Sequence, residues 1–237
     1  MTARIREIID LSIVKAAACA VGMCMWLQTL ASERCLDVST SPQHEVPVAR
    51  KLTLSIGQST ASVSSDPALT DIVAADPFDK GVAVYVNQPF NLTYQQEGLT
   101  FNVPKTHTLW MSPRDKKLAI LEIEPCPLFE NDFEAAVRAL NEWRVLFNGM
   151  NLKEIEHHPR FKTSDIASLG ERFKSAPELP RFGQNVGVWR VGNTYLRLAL
   201  VRVERDYVER SRNAVARKAF VYKISVTLLD AEKFDAQ

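Results

Sequence analysis

Two carboxylates in an alternating segment are the first residues of this chain that could do chemistry. Glu122 and Glu124 are separated by one residue. Successive side chains of a strand point to opposite faces, so the pair would share one face, about 6.6 Å apart along the strand. That separation is within reach of the two carboxyl groups of a glycoside hydrolase. Leu118 and Ile120 precede the pair on the same face, so we interpret it as the end of a strand that reaches water before Pro125. Hydrolysis is the alternative.

The best metal-ligand candidate is the run Glu-Ile-Glu-His-His at residues 154–158, with His107 or His44 as a distant third imidazole. Adjacent histidines point apart on a strand and about 100° apart on a helix, so they rarely hold one ion together. We therefore interpret the run as a solvated loop, and we predict no metal site and no cofactor. A hydrolase that uses Glu122, Glu124 or His158 is the alternative.

Common catalytic motifs are missing from the sequence. It contains no Gly-x-Ser-x-Gly elbow, no Gly-x-Gly-x-x-Gly turn, no phosphate-binding Gly-x4-Gly-Lys-Ser/Thr loop and no His-Glu-x-x-His pair. With 29 Lys and Arg against 28 Asp and Glu, it also lacks the basic excess typical of nucleic-acid binders. Its 46% apolar and 24% charged residues exclude a disordered tail protein, a collagen-like fibre and a multi-span membrane protein. We predict a globular protein that is not an enzyme and does not bind nucleic acid.

The N-terminus has the parts of an export signal. Basic residues precede an uncharged run over residues 16–32, and Thr29-Leu30-Ala31 offers small residues where a signal peptidase cuts. We predict a signal peptide over residues 1–31 and a flexible leader over residues 32–51. The protein would then be periplasmic or otherwise extracytoplasmic, with no stable transmembrane span after cleavage. The alternative is an uncleaved segment that anchors the chain in a membrane.

Cysteine usage agrees with export. Cys19 and Cys24 would leave with the signal, so the mature chain keeps Cys35 and Cys126. An even pair in an oxidising compartment is a candidate disulfide. It would close a loop of about 90 residues and stabilise the fold by about 4 kcal/mol in the loop-entropy model. The alternative is two unpaired thiols.

Alternating apolar residues predict several strands, and no strand–helix–strand repeat of a parallel sheet is present. Such runs of hairpins indicate an α+β fold with antiparallel sheets. The predicted strands are those of Leu52, Leu54 and Ile56, of residues 81–86, of Leu99, Phe101 and Val103, of a hairpin between residues 109 and 123 with a six-residue turn, and of residues 188–191, 194–208 and 220–228, with a turn at Gly192-Asn193.

Domain boundaries follow from this pattern. We expect residues 52–149 to form an α+β subdomain in which the hairpins pack on one main amphipathic helix at about 131–148. Residues 150–186, which contain three prolines and have little periodicity, form a loop-rich connection. Residues 187–237 form a second, antiparallel strand meander that packs on the same domain.

The helix has start and stop signals of its own. Asn131 is placed to cap its first turn and Glu134 follows three residues later, as in a capping box. Gly149 is placed to end it in a left-handed conformation. Between them, apolar residues recur at helical spacing, which predicts a buried stripe.

Exposed loops and hairpin ends are the candidates for contact with a partner. The turn at residues 112–117 is basic, residues 157–185 are rich in proline and aromatic residues, and residues 204–218 are strongly charged. Charged rims and aromatic anchors typically give specificity at an interface. The predicted contact residues are Arg114, Lys116, Lys117, Phe161, Phe173, Phe182, Arg205 and Arg210.

Together these features predict a non-catalytic exported protein-binding module. Its most concrete form is an immunity protein that neutralises a secreted bacterial toxin, for example one delivered by type VI secretion. A toxin or an envelope protein would be its partner. An envelope-assembly or membrane-associated structural factor is the first alternative, and a periplasmic hydrolase is the second.

Overall fold

The structure is a computed structural model, and all the residues it describes lie within Val46–Gln237. The described residues are 50–69, 78, 84–86, 90–96, 98–125, 127–150, 152–156, 158–176, 179, 181–204 and 220–236. The predictions for the signal peptide, the Cys35–Cys126 bridge, Arg205 and Arg210 lie outside them. The predicted leader also lies outside, apart from its last two residues.

Ten strands and a few short helices make up the described part of the chain. The strands are β1 (Arg50–Leu54), β2 (Val84–Val86), β3 (Phe90–Gln96), β4 (Leu99–Arg114), β5 (Lys117–Pro125), β6 (Phe129–Glu130), β7 (Lys153–Glu154), β8 (Arg181–Val191), β9 (Thr194–Glu204) and β10 (Phe220–Asp230). The α-helices are α1 (Thr60–Ser64), α2 (Phe133–Gly149), α3 (Leu169–Lys174), which a 3-10 turn at Ile166–Ser168 precedes, and α4 (Ala231–Asp235).

The strands form one sheet in the order β1-β3-β4-β5-β10-β9-β8-β7, with β2 beside β4 and β6 beside β10. The prediction of a sheet-rich fold of mixed α and β structure is confirmed. The predicted C-terminal meander of β8, β9 and β10 is not a separate sheet, because β10 pairs with β5. Strands β1 and β3 pair in parallel, which the antiparallel prediction did not include.

Alternation along the central strands places the main core on one face of the sheet. The opposite face carries polar residues and a smaller buried cluster of Phe161, Val188, Tyr195, Leu229 and Ala231. Leu121 and Ile123 of β5 and Val226 of β10 are fully buried in the main core. Helix α2 contributes Phe147 to this core, and its ring lies 5.5 Å from Phe101 of β4 and 5.4 Å from Trp189 of β8. The residues between these core positions point to the other face of the sheet.

Helix α2 begins and ends differently from the prediction. Its N-cap is Asp132, whose side chain accepts from the backbone N–H of Ala135 at 2.9 Å. Asn131 instead has a positive φ of 52°, and its side chain accepts from the N–H of Phe220 at 2.9 Å. The helix ends at Gly149, and its C-cap is Met150, which has an ordinary negative φ of −82°. Because the side chain of Asn131 is bonded to β10, Asp132 takes the N-cap position of α2.

The β4–β5 hairpin closes more tightly than the predicted six-residue turn. Arg114 pairs with Lys117, so only Asp115 and Lys116 form the turn. Both have positive φ, 53° and 58°, which is the geometry of a type I′ turn. This turn type matches the right-handed twist of the two strands, which continue pairing to its very end.

Among the described residues, no helix combines the length and the apolar character that a membrane span requires.

Candidate functional site

A row of polar side chains crosses the sheet on the face opposite the main core. Trp110 of β4 pairs with Glu122 of β5, Glu122 pairs with Thr227 of β10, and Thr227 pairs with Arg197 of β9. Because each lies between core residues on its strand, all four point to the outer face. We call this region the polar face.

The two carboxylates of the sequence analysis lie on this face, and each is held by a cation. Glu122 lies 3.5 Å from the guanidinium of Arg181 and accepts at 3.1 Å from the hydroxyl of Ser225. Glu124 accepts at 2.9 Å from the ammonium of Lys223. The side chains of Glu122 and Glu124 are 22% and 10% exposed. Glu122 is thus partly exposed and Glu124 is buried, and Leu118 lies in the main core, so the expectation that the strand reaches water at this pair is wrong for Glu124.

Arg197 extends the charge pattern beneath the surface. Its guanidinium donates to the hydroxyl of Thr227 at 2.9 Å, and its Nε is buried with no acceptor in the described part of the chain. Burial lowers the pKa of Arg197, and the attraction of Glu122 opposes that effect. The cation and the carboxylate of Glu122 therefore attract each other within the same row.

These groups line a cleft of 280 Å³ on the polar face. The lining residues are Thr108, Trp110, Glu122, Glu124, Arg181 and Lys223. A glycosidase needs one carboxyl group protonated, which apolar surroundings favour. Here Glu124 accepts from the ammonium of Lys223, and Glu122 accepts from the hydroxyl of Ser225 and forms an ion pair with Arg181, so both carboxylates have polar partners.

The histidine candidate lies elsewhere, in a cluster with the C-terminal helix α4. His158 Nδ1 accepts from the backbone N–H of Arg160 at 3.2 Å, and Nε2 lies 3.7 Å from the carboxylate of Asp235. The same carboxylate accepts from the hydroxyl of Tyr195 at 2.9 Å. Burial and this hydrogen bond raise the pKa of Tyr195.

Only Nδ1 of this imidazole takes part in a hydrogen bond among the described residues, and the ring packs 4.6 Å from that of Phe161. The hydrogen bond of Tyr195 to Asp235 fastens α4 to β9 of the sheet. No group of three or more potential metal ligands occurs among the described residues. His157 lies outside the described residues.

The hairpin end carries three of the predicted contact residues, and all three are exposed: Arg114, Lys116 and Lys117. We call residues 114–117 the cationic tip. Among the described residues, no carboxylate forms a salt bridge with Lys116 or Lys117. Asp115, the tip's own carboxylate, pairs with Lys233 of α4 at 3.2 Å. The tip therefore presents positive charge to solvent.

The aromatic candidates are placed differently. Phe161 and Phe173 are only 5% and 4% exposed, and Phe182 is half-buried against the main core. Phe173 and Phe182 pack edge to face at 5.1 Å. These rings contact the protein's own interior, whereas the cationic tip faces outward. A contact between these rings and a partner stays a prediction.

Several residues of the polar face were missed by the sequence analysis: Trp110, Arg181, Arg197 and Lys223. The alternation that placed Leu109 and Met111 in the core also places Trp110 outward, so this signal was present. Alternation also places Lys223 opposite the apolar residues of β10, but Lys223 and Arg181 meet the carboxylates only through pairing of distant strands.

Comparison with protein-family models, with curated proteins and with solved structures found no match.

Proposed function

We propose that this chain is a non-catalytic exported protein-binding module that meets its partner with the cationic tip. The observation that carries the proposal is the combination of outward positive charge with a fixed backbone at that tip. We further propose that it is an immunity protein that neutralises a secreted bacterial toxin. We also propose that the sheet packs on one main helix, α2.

The tip is held from outside the hairpin on one side by the turn before α1. Gly57 N–H donates to the carbonyl of Leu118 at 2.7 Å, and Leu118 N–H donates to that of Gln58 at 2.8 Å. Thr60 N–H donates to the carbonyl of Lys116 at 3.0 Å. Three hydrogen bonds thus fix the β5 side of the turn.

Helix α4 holds the other side. Arg114 donates from its guanidinium to the carbonyl of Lys233 at 3.0 Å, and the ammonium of Lys233 donates to the carbonyl of Arg114 at 3.0 Å. A surface that is ordered before binding loses less conformational entropy on association. Fixed exposed cations also steer an acidic partner into one orientation. An acidic patch on a toxin is therefore the expected counterpart.

The two alternatives make different demands. A hydrolase would work through Glu122, Glu124 or His158, yet each of the two carboxylates is paired with a cation, Glu122 with Arg181 and Glu124 with Lys223, which favours a role in binding. An envelope-assembly factor would use the same tip on an envelope protein, and only the identity of the partner distinguishes it from an immunity protein.

The test is capture of exported proteins from toxin-bearing cells with three versions of the chain in parallel. They are the wild type, Lys116→Glu/Lys117→Glu at the tip, and Lys51→Glu/Lys153→Glu as a control with the same change in charge on exposed lysines of β1 and β7. The partner is the protein that the wild type and the control retain and that the tip variant loses. If that partner is a toxin, expression of the exported chain should protect cells from it. A partner retained equally by all three versions would contradict the proposal.

A further inference from the structure

The cleft on the polar face has the composition of a small-ligand site that is separate from the cationic tip. Its walls combine one indole, two carboxylates, one guanidinium, one ammonium and one hydroxyl group. Two negative and two positive side chains make the lining neutral as a whole. We propose that this cleft binds a neutral saccharide.

The charge of the lining argues for a ligand without charge. Arg181 and Lys223 already neutralise the two glutamates at 3.5 Å and 2.9 Å. An anionic ligand would compete with the glutamates for Arg181 and Lys223. A cationic ligand would compete with Arg181 and Lys223 for the two carboxylates. A ligand of neutral hydroxyl groups can bind without breaking either ion pair, so its binding avoids leaving a desolvated charge unpaired.

The carboxylates also keep hydrogen-bonding capacity that hydroxyl groups can use. Ser225 and Arg181 both contact Oε1 of Glu122, and Lys223 contacts Oε2 of Glu124. Within the described part of the chain, the second oxygen of each carboxylate receives no hydrogen bond. Two acceptors on fixed side chains thus face the cleft, and hydrogen bonds to charged acceptors are stronger than those between neutral groups.

Trp110 supplies the apolar surface that a sugar ring needs. Its half-buried indole lines the same cleft, directly across the β4–β5 ladder from Glu122. An indole presents a large flat apolar face, and a saccharide ring combines an apolar C–H face with hydroxyl groups around its edge. The 280 Å³ volume is slightly below the range of about 300–1,000 Å³ of small-molecule sites, which fits a ligand of one or two sugar rings.

The test is a titration of the full chain with cellobiose and with N,N′-diacetylchitobiose, followed through the indole N–H resonances in a proton–nitrogen spectrum. Trp110→Phe assigns the resonance of Trp110. We expect that resonance alone to shift and to saturate with a dissociation constant on the order of 1 mM for at least one disaccharide. The resonances of Trp143 and Trp189, on the core side of the sheet, should stay in place.

Variants distinguish recognition from a change of fold. Glu122→Gln should weaken binding about tenfold, because it replaces a charged acceptor with a neutral one. Lys223→Met should also weaken saccharide binding, because it removes the ammonium that holds Glu124 in place. This variant serves in place of Glu122→Gln if Glu122→Gln fails to fold. Glu154→Gln is the matched control, since it breaks the 3.2 Å ion pair of Glu154 with Arg144 elsewhere in the chain and should leave binding unchanged.

Two further arms separate a free sugar from a polymer. Retention on insoluble cellulose or chitin, with release by the matching soluble disaccharide, would indicate that the cleft takes the end or the surface of a glycan. Binding of the soluble disaccharide without retention would indicate a free saccharide. The proposal is overturned if neither disaccharide shifts the Trp110 resonance at about 20 mM, or if Glu122→Gln and Lys223→Met bind as tightly as the wild type.

Discussion

Replacing Gly187 with alanine should destabilise the protein through one identifiable contact. Gly187 is a buried residue of β8 next to a β-bulge, and a methyl group there would lie 2.8 Å from Cζ2 and Cζ3 of Trp189 and closer still to Cη2. The indole cannot turn aside easily, because it is fully buried and its N–H donates to Asn148 at 3.0 Å. Phe147 packs on its other side, 5.4 Å away.

Overpacking of this kind costs about 1–3 kcal/mol. With a slope of about 2 kcal/mol/M in urea, a loss of about 2 kcal/mol lowers the unfolding midpoint by about 1 M. The measurement is urea unfolding followed by far-ultraviolet circular dichroism, with near-ultraviolet dichroism reporting the environment of the indole.

Gly183→Ala on the same strand is the matched control. Its added methyl group would lie 3.5 Å from Val201 and 3.8 Å from the carbonyl of Leu200, which are ordinary contacts. We expect a change within about 0.5 kcal/mol. A double-mutant cycle then isolates the contact, because Trp189→Phe removes the indole atoms that collide. In that background Gly187→Ala should cost at least about 1 kcal/mol less than in the wild type. Equal costs in both backgrounds, or equal costs of Gly187→Ala and Gly183→Ala, would refute the reasoning.

Three further changes test other parts of the structure. Burial raises the pKa of Tyr94 from 10.0 to about 12. The stability contributed by the protonated phenol is therefore complete below about pH 10 and is lost as the pH rises toward 12, about 3 kcal/mol in all. The free energy of unfolding measured at about pH 9.5 and 11.5 should show this loss, and Tyr94→Phe should reduce it. Arg202→Met should lower the free energy of unfolding in urea by about 1–3 kcal/mol, because the carbonyls of Phe173 and Ala176 lose their buried donor. Arg202→Lys should recover only part of this loss, since lysine lacks the planar guanidinium, and full recovery would contradict a role for the guanidinium geometry. Lys116→Glu/Lys117→Glu should change the free energy of unfolding by less than about 0.5 kcal/mol in the same assay, because both side chains are exposed, and a larger loss would mean that the tip lysines stabilise the fold.

The elements that were predictable from the sequence are those with a strong local signal. The alternation in β5, β9 and β10 and the apolar spacing in α2 each reflect which side chains meet the core. Strand β3 was missed although Phe90, Leu92 and Tyr94 alternate and are buried, because prolines and asparagines surround the segment. Its parallel pairing with β1 depends on contacts between distant segments, which no local pattern encodes.

Local competition explains the errors at the turn and the cap. Asp115 and Lys116 adopt positive φ without the glycine or asparagine that usually marks a type I′ turn, so the twist of the flanking strands decided the geometry. Asn131 and Asp132 are both good capping residues, and the choice between them follows from the bond that Asn131 makes to β10.

The candidate site was predictable only in part for the same reason. The sequence placed Glu122 and Glu124 on one face, which the structure bears out. Their cations, Arg181 and Lys223, lie on β8 and β10 and reach them only after the sheet has formed. The order of the strands in the sheet therefore decides whether each carboxylate is paired with a cation, and the local sequence does not.

The central claim, that the cationic tip binds an acidic partner, is tested most directly by the affinity of the captured partner for the wild type and for Lys116→Glu/Lys117→Glu. We expect the dissociation constant to rise at least about tenfold in the tip variant and to rise with salt for the wild type. The Lys51→Glu/Lys153→Glu control should match the wild type. Equal dissociation constants for all three, independent of salt, would contradict the account.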